Sequence, residues 1–381
     1  MNKLIISIVC IAITTAAQAT PSAPDYYKGN LNIKDVTEVC SKVNSWQMTN
    51  HIKDSNHDLG WIHGAYYRGL LEWAKQKGDM LSIGYFYGFA AANNWSLSNK
   101  LTYTHADEIC LGQSYIEMYR IFKDPRMINE LSSRAYYIAT HPCNTSISHQ
   151  NTKENDLRWT WCDALFMAAP VYAALFAVTG DQVYSDYLER EFWATYDYLY
   201  DKEEKLFHRD DLSFDRREEN GRKIFWGRGN GWVAATIPLI LENIPDNYPS
   251  RGRYEALLVE LLSSIIKCQD ENGSWHASML DAVAYPDPEN SGSAFFCYSL
   301  AWALNHGIVK GSEYWNALKK GWKAVVSCVY PEGKLGYVQR PGASPKRVES
   351  KRSELYGSGA FLLAGSEICR LLGEKPAVKV K

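Results

Sequence analysis

Several things are scarce or missing in this chain of 381 residues. Beyond the first twenty residues no stretch approaches the roughly 18 consecutive apolar residues that span a bilayer, so no membrane-spanning helix is expected. Neither sign of charge dominates: the formal net charge is −2, which makes nucleic acid and acidic membrane surfaces poor partners. There is no HExxH, no DxDxDG loop and no paired Cys/His motif, the spacings that hold zinc and calcium. A Ser-His-Asp order and a G-x-S-x-G turn are absent too, which removes the usual signs of a serine nucleophile. Strand-period alternation is almost missing, and no Ser/Gly/Pro-rich linker or block of like charge divides the chain.

Lys3, the apolar run Leu4 to Ala12 and the small-residue site Ala17-Gln18-Ala19 read as a cleavable secretory signal over residues 1–19. Residues 20–381 then form one exported domain, expected in the periplasm. Cys10 follows Val9 and not the small residue of a lipoprotein signal, so a lipid anchor is not expected. Of the nine cysteines, the eight after Cys10 show neither a CxxC pair nor a dense framework, and they read as small buried hydrophobes in helices.

What the chain does have is helical periodicity. Twelve segments carry it: Ile33 to Thr49, Trp61 to Lys77, Met80 to Asn93, Ala106 to Phe122, Pro125 to Thr140, Trp159 to Val178, Gln182 to Tyr200, Gly231 to Glu242, Arg253 to Gln269, Ser293 to Asn305, Glu313 to Cys328 and Ser353 to Leu372. Start and stop chemistry sits between them, as in Gly180-Asp181 and in Asp124-Pro125, an N-cap followed by proline at the first helical position. Twelve helices with short connections suggest six hairpins in a closed ring, an all-α (α/α)6 barrel of a single domain. Longer stretches at Asn94 to His105, His141 to Arg158, Asp201 to Phe225, Asp270 to Gly292 and Tyr330 to Lys351 would crowd one mouth of that ring, the natural place for a site.

Aromatic residues are plentiful, with 13 Trp and 25 Tyr. They serve a core, and they equally serve a sugar cleft, where aromatic faces stack on pyranose rings and Trp N–H and Tyr O–H groups find polar partners. In Trp159-Thr-Trp161-Cys-Asp163-Ala-Leu-Phe-Met167-Ala-Ala-Pro170 a single carboxylate stands behind two tryptophans at the head of an apolar helix. Shielding from water disfavours the charged form, which would keep Asp163 protonated near neutral pH as a general acid requires. Asp is also a favoured helix N-cap, so both roles stay open.

A second distinctive stretch is Trp226-Gly-Arg228-Gly-Asn-Gly-Trp232. Its three glycines let the backbone turn tightly and approach a ligand, while Arg228 offers a planar fork for a carboxylate between two aromatic faces. It lacks the G-x-G-x-x-G order and a preceding strand, so an anionic sugar fits it better than a pyrophosphate, and a plain glycine-rich connector is the alternative. Further acids occur at Asp107 and Glu108 in the run His105 to Gln113, where negative charge in a first turn also suits the helix dipole whatever the function. Polar groups on the long loops include Lys153, the run His208-Arg209-Asp210-Asp211 and His276.

These stretches resemble the unsaturated rhamnogalacturonyl hydrolases of glycoside hydrolase family 105 and the related unsaturated glucuronyl hydrolases of family 88. The resemblance is carried by His105 through Gln113, by Trp161 through Pro170, by Trp226 through Trp232, by Asn290-Ser-Gly-Ser-Ala294 and by Tyr356 through Ala364. It implies a six-hairpin barrel and a hydrolase without metal or other cofactor. The substrate it implies is an oligosaccharide whose non-reducing end carries the unsaturated uronate left by a polysaccharide lyase. In such an enzyme one Asp protonates C4 of the C4=C5 enol ether and activates water to add at C5, so the pair of carboxylates flanking the anomeric carbon is not required. Carried over by motif, Asp163 is the acid/base and Asp107 a second acidic residue. Arg228, Trp232 and Trp226 would hold the uronate, with Gln113, Lys153, Met167, His208 and Arg209 as further substrate-binding residues. The chain departs from the family pattern at Glu108, and the histidine expected near Phe207 to Asp210 matches either His208 or Arg209. Other readings are a conventional glycosidase or sugar epimerase on the same barrel, or a glycan-binding protein without activity.

Overall fold

The computed structural model describes residues 26–53, 58–150 and 157–379. The leader over residues 1–19 and Lys153 lie outside them. Among the described residues thirteen α-helices form: α1 (Ile33–Lys53), α2 (Trp61–Lys77), α3 (Met80–Ala92), α4 (Ala106–Ile109), α5 (Gly112–Phe122), α6 (Asn129–Thr140), α7 (Asp163–Thr179), α8 (Gln182–Leu199), α9 (Gly227–Leu241), α10 (Arg251–Ile265), α11 (Asn290–Asn305), α12 (Ser312–Ser327) and α13 (Leu355–Leu371). The strands are one short antiparallel pair, β1 (Tyr200–Asp201) and β2 (Leu206–Phe207).

The capping chemistry read from the sequence operates. Asp181 accepts from the Val183 N–H to start α8, and Gly180 takes a left-handed φ of 72° to end α7. Two expectations shift. Asp124-Pro125 opens a short 3-10 turn and α6 proper starts at Asn129. The helix expected over Ala106 to Phe122 is interrupted at Cys110-Leu111, where the N–H groups of Gln113 and Ser114 bond three residues back. There α2 leans on the chain so closely that a Cβ on Gly64 would lie 2.8 Å from Cys110 Sγ.

The helices form an (α/α)6 barrel. Helices α2, α5 with α4, α7, α9, α11 and α13 make the inner ring, each packed on the next, and α13 closes it by packing on both α11 and α2. The remaining six pack outside them. Burial follows the sequence: all fifteen residues of α9 are buried, against six of the sixteen of the outer helix α12. Two seams of the inner ring are glycine on glycine, α9 on α11 and the closing one, α2 on α13. A Cβ on Gly69 of α2 would lie 1.9 Å from the Gly359 carbonyl oxygen of α13, and one on Gly359 would lie 2.3 Å from the Ala65 carbonyl oxygen.

The inner helices all point the same way, and their C-terminal ends line a cavity of about 890 Å³ at the far mouth. Two of its carboxylates sit among cations: Glu72 with Arg68, Lys75 and Arg370, and Glu117 with Lys75 and Arg120. Burial alone would raise both carboxyls, but the cations hold Glu72 well below the usual range and Glu117 at about 2.

Two outcomes follow from this packing. Gly69→Ala or Gly359→Ala forces backbone apart at the closing seam and should lower stability by about 2 kcal/mol or more, read as the shift in a denaturant midpoint. Because Glu72 and Glu117 are depressed in the fold, their stabilisation is complete above the unfolded value of roughly 4.3 and disappears as pH falls through the folded one. The melting temperature should therefore drop as pH falls from about 4.5 towards 2, and Glu117→Gln should be less stable at neutral pH with a flatter acid dependence.

Candidate active site

The N-terminal ends of the inner helices meet at the near mouth. There they surround a cavity of about 180 Å³, below the roughly 300 Å³ of ordinary small-molecule sites and suited to one ring. Asp163, the first residue of α7, and Asp107, in the first turn of α4, both line it. Helix N-termini carry partial positive charge, so their convergence favours an anionic ligand at this end.

Asp163 is 7% exposed. Burial raises its carboxyl above the usual carboxylate range, and the guanidinium groups of Arg209 and Arg228 only partly offset this. It does not cap its helix: Cys162 holds the N-cap position, with no side-chain cap bond. The shielding is also narrower than the sequence suggested. Trp161 and Met167 line the cavity beside Asp163, but Trp159 packs on Tyr172 and Tyr187, away from it. Asp107 follows the N-cap residue His105, whose Nδ1 accepts the Asp107 N–H at 3.1 Å. The neighbouring Glu108 is buried and accepts the Lys100 N–H at 2.9 Å, which pins the loop before it.

The Trp226 to Trp232 stretch is not a loop. Helix α9 begins at Gly227, so the glycines occupy its first turns and their bare Cα atoms let neighbours in. A Cβ on Gly227 would lie 2.3 Å from the His276 carbonyl oxygen, and one on Gly231 2.9 Å from Gly292 Cα. Arg228 lines the cavity, yet its fork is already engaged. Nη1 donates to the Gln339 carbonyl and Nη2 to the Arg340 carbonyl, both at 2.9 Å, and the guanidinium lies over the rings of Trp226 and Tyr356. Arg228 therefore supplies charge and anchors the 328–354 loop through one N–H of each terminal nitrogen, while its Nε–H has no hydrogen-bond partner among the described residues. Gln339 is the hub of that loop. It accepts from Trp226 Nε1 through its side chain, and its own N–H donates to Glu289, which caps α11. The result is Gly342 held at the cavity wall.

The structure sorts the other expected residues. Arg209 lines the cavity, with Nε 3.5 Å from Asp163 Oδ2 and Nη1 2.5 Å from Asp210. His208 is buried behind it against Phe225 and Asp201, and burial lowers its pKa despite the Asp201 carboxylate. Trp226 and Met167 line the cavity, whereas Trp232 stands one layer behind, edge-on to Trp61. Gln113 is also behind, donating to the Phe166 carbonyl at 2.8 Å and so tying α5 to α7. Trp61 is a wall of the cavity that sequence reasoning passed over, although a tryptophan opening a predicted helix beside a polar break is a usable signal. Two larger cavities adjoin: one of about 450 Å³ shares Arg209 and Trp226, and one of about 380 Å³ shares Trp61.

Comparison with known proteins agrees with this architecture. The sequence profile described as Glycosyl Hydrolase Family 88 matches residues 33–372. A protein of Formosa agariphila named unsaturated 3S-rhamnoglycuronyl hydrolase is 34% identical over 381 residues, covering 97% of this chain and 99% of its own. One of the same name from an Alteromonas species is 36% identical over 330 residues, covering 84% and 79%. The solved structure of a glycosyl hydrolase family 88 protein from Bacteroides vulgatus superposes with a TM-score of 0.81 at 26% identity, covering 90% of this chain and all of that one. Helical ring, shielded carboxyl and family match converge: the chain is a glycoside hydrolase and belongs to glycosyl hydrolase family 88.

Proposed function

We propose that this hydrolase removes the 4,5-unsaturated uronate from the non-reducing end of lyase-generated oligosaccharides, with 3-sulfated rhamnose as the adjoining sugar. The observation that carries the reading is Asp163, a buried carboxyl with a raised pKa in a one-ring cavity beside two arginines. It delivers its proton to C4 of the enol ether, and the resulting carboxylate takes a proton from water as the oxygen adds to C5. The hemiketal so formed collapses, releases the neighbouring sugar and leaves Asp163 protonated as it began. Asp107, on the same cavity, orients the water or a sugar hydroxyl. The secretory signal read in residues 1–19 supports export, with the periplasm as the place of action.

The sulfated neighbour is suggested by the names of the two relatives and by the larger adjoining cavity. Arg216 and Arg217 stand on its rim. Arg217 donates to the backbone carbonyls of Phe214 and Arg216. Of the acids there, Asp210 is paired with Arg209 and Glu218 accepts from Ser278, while Glu219 lies on the side shared with a further cavity. This leaves cationic groups for a sulfate ester.

The activity is read as loss of the conjugated enoate absorbance in lyase digests of pectic, glycosaminoglycan and algal polysaccharides; no loss with any of them, or turnover of saturated uronides alone, overturns it. Asp163→Asn should fold normally and lower kcat by at least about 100-fold, the usual scale of a lost general acid, whereas retained turnover would demote Asp163. Since the acid must be protonated, kcat/KM should fall as pH rises through a pKa above the ordinary value of about 3.9. Removing the sulfate, or making Arg216→Ala with Arg217→Ala, should cut kcat/KM by roughly 10-fold, the scale of charge-assisted hydrogen bonds. Equal rates on sulfated and desulfated substrates would remove that part of the proposal.

A further inference from the structure

The two oxygens of Asp163 are in different situations. Oδ2 accepts from Cys162 Sγ at 3.7 Å and forms an ion pair with Arg209, whose Nε lies 3.5 Å away without a hydrogen bond, while the residue's own backbone N–H also bonds the carboxyl. Oδ1 has no donor from another residue among the described ones, and Asp163 lines the cavity. Cys162 lies between these groups. Its backbone N–H donates to the Arg209 carbonyl at 2.8 Å, so one residue sets both the thiol and the guanidinium beside the same oxygen. Its sulfur is fully buried, and the room for it comes from α9: a Cβ on Gly229 would lie 3.1 Å from Cys162 Sγ and 3.1 Å from Trp226 Cε3.

We propose that Cys162 is a positioning residue: its S–H bond, beside the Arg209 guanidinium, holds Oδ2 of Asp163, so that Oδ1 is the oxygen that carries the catalytic proton to the substrate. Cys162 can act only as a donor here. Burial, with Asp163 beside it, pushes the thiol well above its ordinary value, so it stays protonated across the working range of a carboxyl acid. A donor to the charged form of a carboxylate favours that form. The clamp thus tempers the effect of burial on Asp163, alongside Arg209 from the 200–226 loop and Arg228 from α9; Asp107 from α4 faces the same cavity, and Asp210 lies on the far side of Arg209. Burial of Cys162 as a plain small hydrophobe would account for its position but not for its S–H bond to the oxygen that also faces Arg209.

The inference rests on Asp163 being the acid, and its test has one arm that does not need turnover. In Cys162→Ala the alkaline limb of kcat/KM should move up by about half a pH unit, and kcat should fall about five-fold with little change in KM, the equivalent of one hydrogen bond. The S–H stretching band isolated by the wild-type minus Cys162→Ala infrared difference should shift to lower frequency as pH rises through that limb, and should stay fixed in Asp163→Asn. If no unsaturated uronide is turned over, the proposed function fails while the infrared titration still reads the clamp. A Cys162→Ala limb coincident with the wild type, or an S–H band indifferent to pH, overturns the proposal.

Discussion

The contact on which the rest of the molecule depends is the seam between α2 and α13, where Gly69 and Gly359 bring two backbones together. Ring closure joins the first inner helix to the last, and any side chain larger than hydrogen at either position would hold them apart. With the ring closed, helix polarity is no longer a local matter. Every inner helix presents its N-terminus to one mouth and its C-terminus to the other, so the two ends acquire opposite fields. The same device recurs at Gly231 against Gly292, which seats α9 on α11.

The two mouths handle charge differently. At the far one the carboxylates of Glu72 and Glu117 are ringed by arginine and lysine, and pairing outweighs desolvation for both, whereas burial raises Glu367 beside them. At the near one Asp163 is also hidden from water, but its partner Arg209 stands 3.5 Å away. Arg209 also serves Asp210, and Arg228 is held by the carbonyls of Gln339 and Arg340. Desolvation wins there, and the carboxyl titrates high. A buried acid that is under-compensated destabilises its ionised form, which is the state a proton donor must avoid before reaction. The 328–354 loop supplies the rest of the wall and is anchored through Gln339 to Glu289, Trp226 and Arg228.

Much of this was legible in the sequence because apolar period and capping are local. Helix α2 occupies the segment over which the pattern ran, and Asp181 and Gly180 punctuate the chain as expected. Asp163, Asp107, Arg209, Arg228, Trp226 and Met167 do share one cavity. The misreadings had a common cause. Glycine in Trp226 to Trp232 was read as freedom to turn, whereas here it is absence of bulk inside a helix. His208 and Arg209 are adjacent in sequence but face opposite sides of their strand-like segment, a difference of orientation that spacing alone left open. Trp159 and Trp161 also part, one to the outer layer and one to the cavity, because the chain turns between them and α7.

By itself, then, the sequence determined the approximate limits of most helices, the carboxylate at the head of α7 and the closed helical ring that so many hairpins imply. These follow from interactions between residues a few positions apart. Tertiary structure alone decided that the arginine of the glycine-rich stretch is held by backbone carbonyls, that Trp61 and Gly342 complete the wall, and that Arg209 stands beside Asp163. Those outcomes depend on groups separated by tens to hundreds of residues, whose meeting is set by how six hairpins close and not by any local preference.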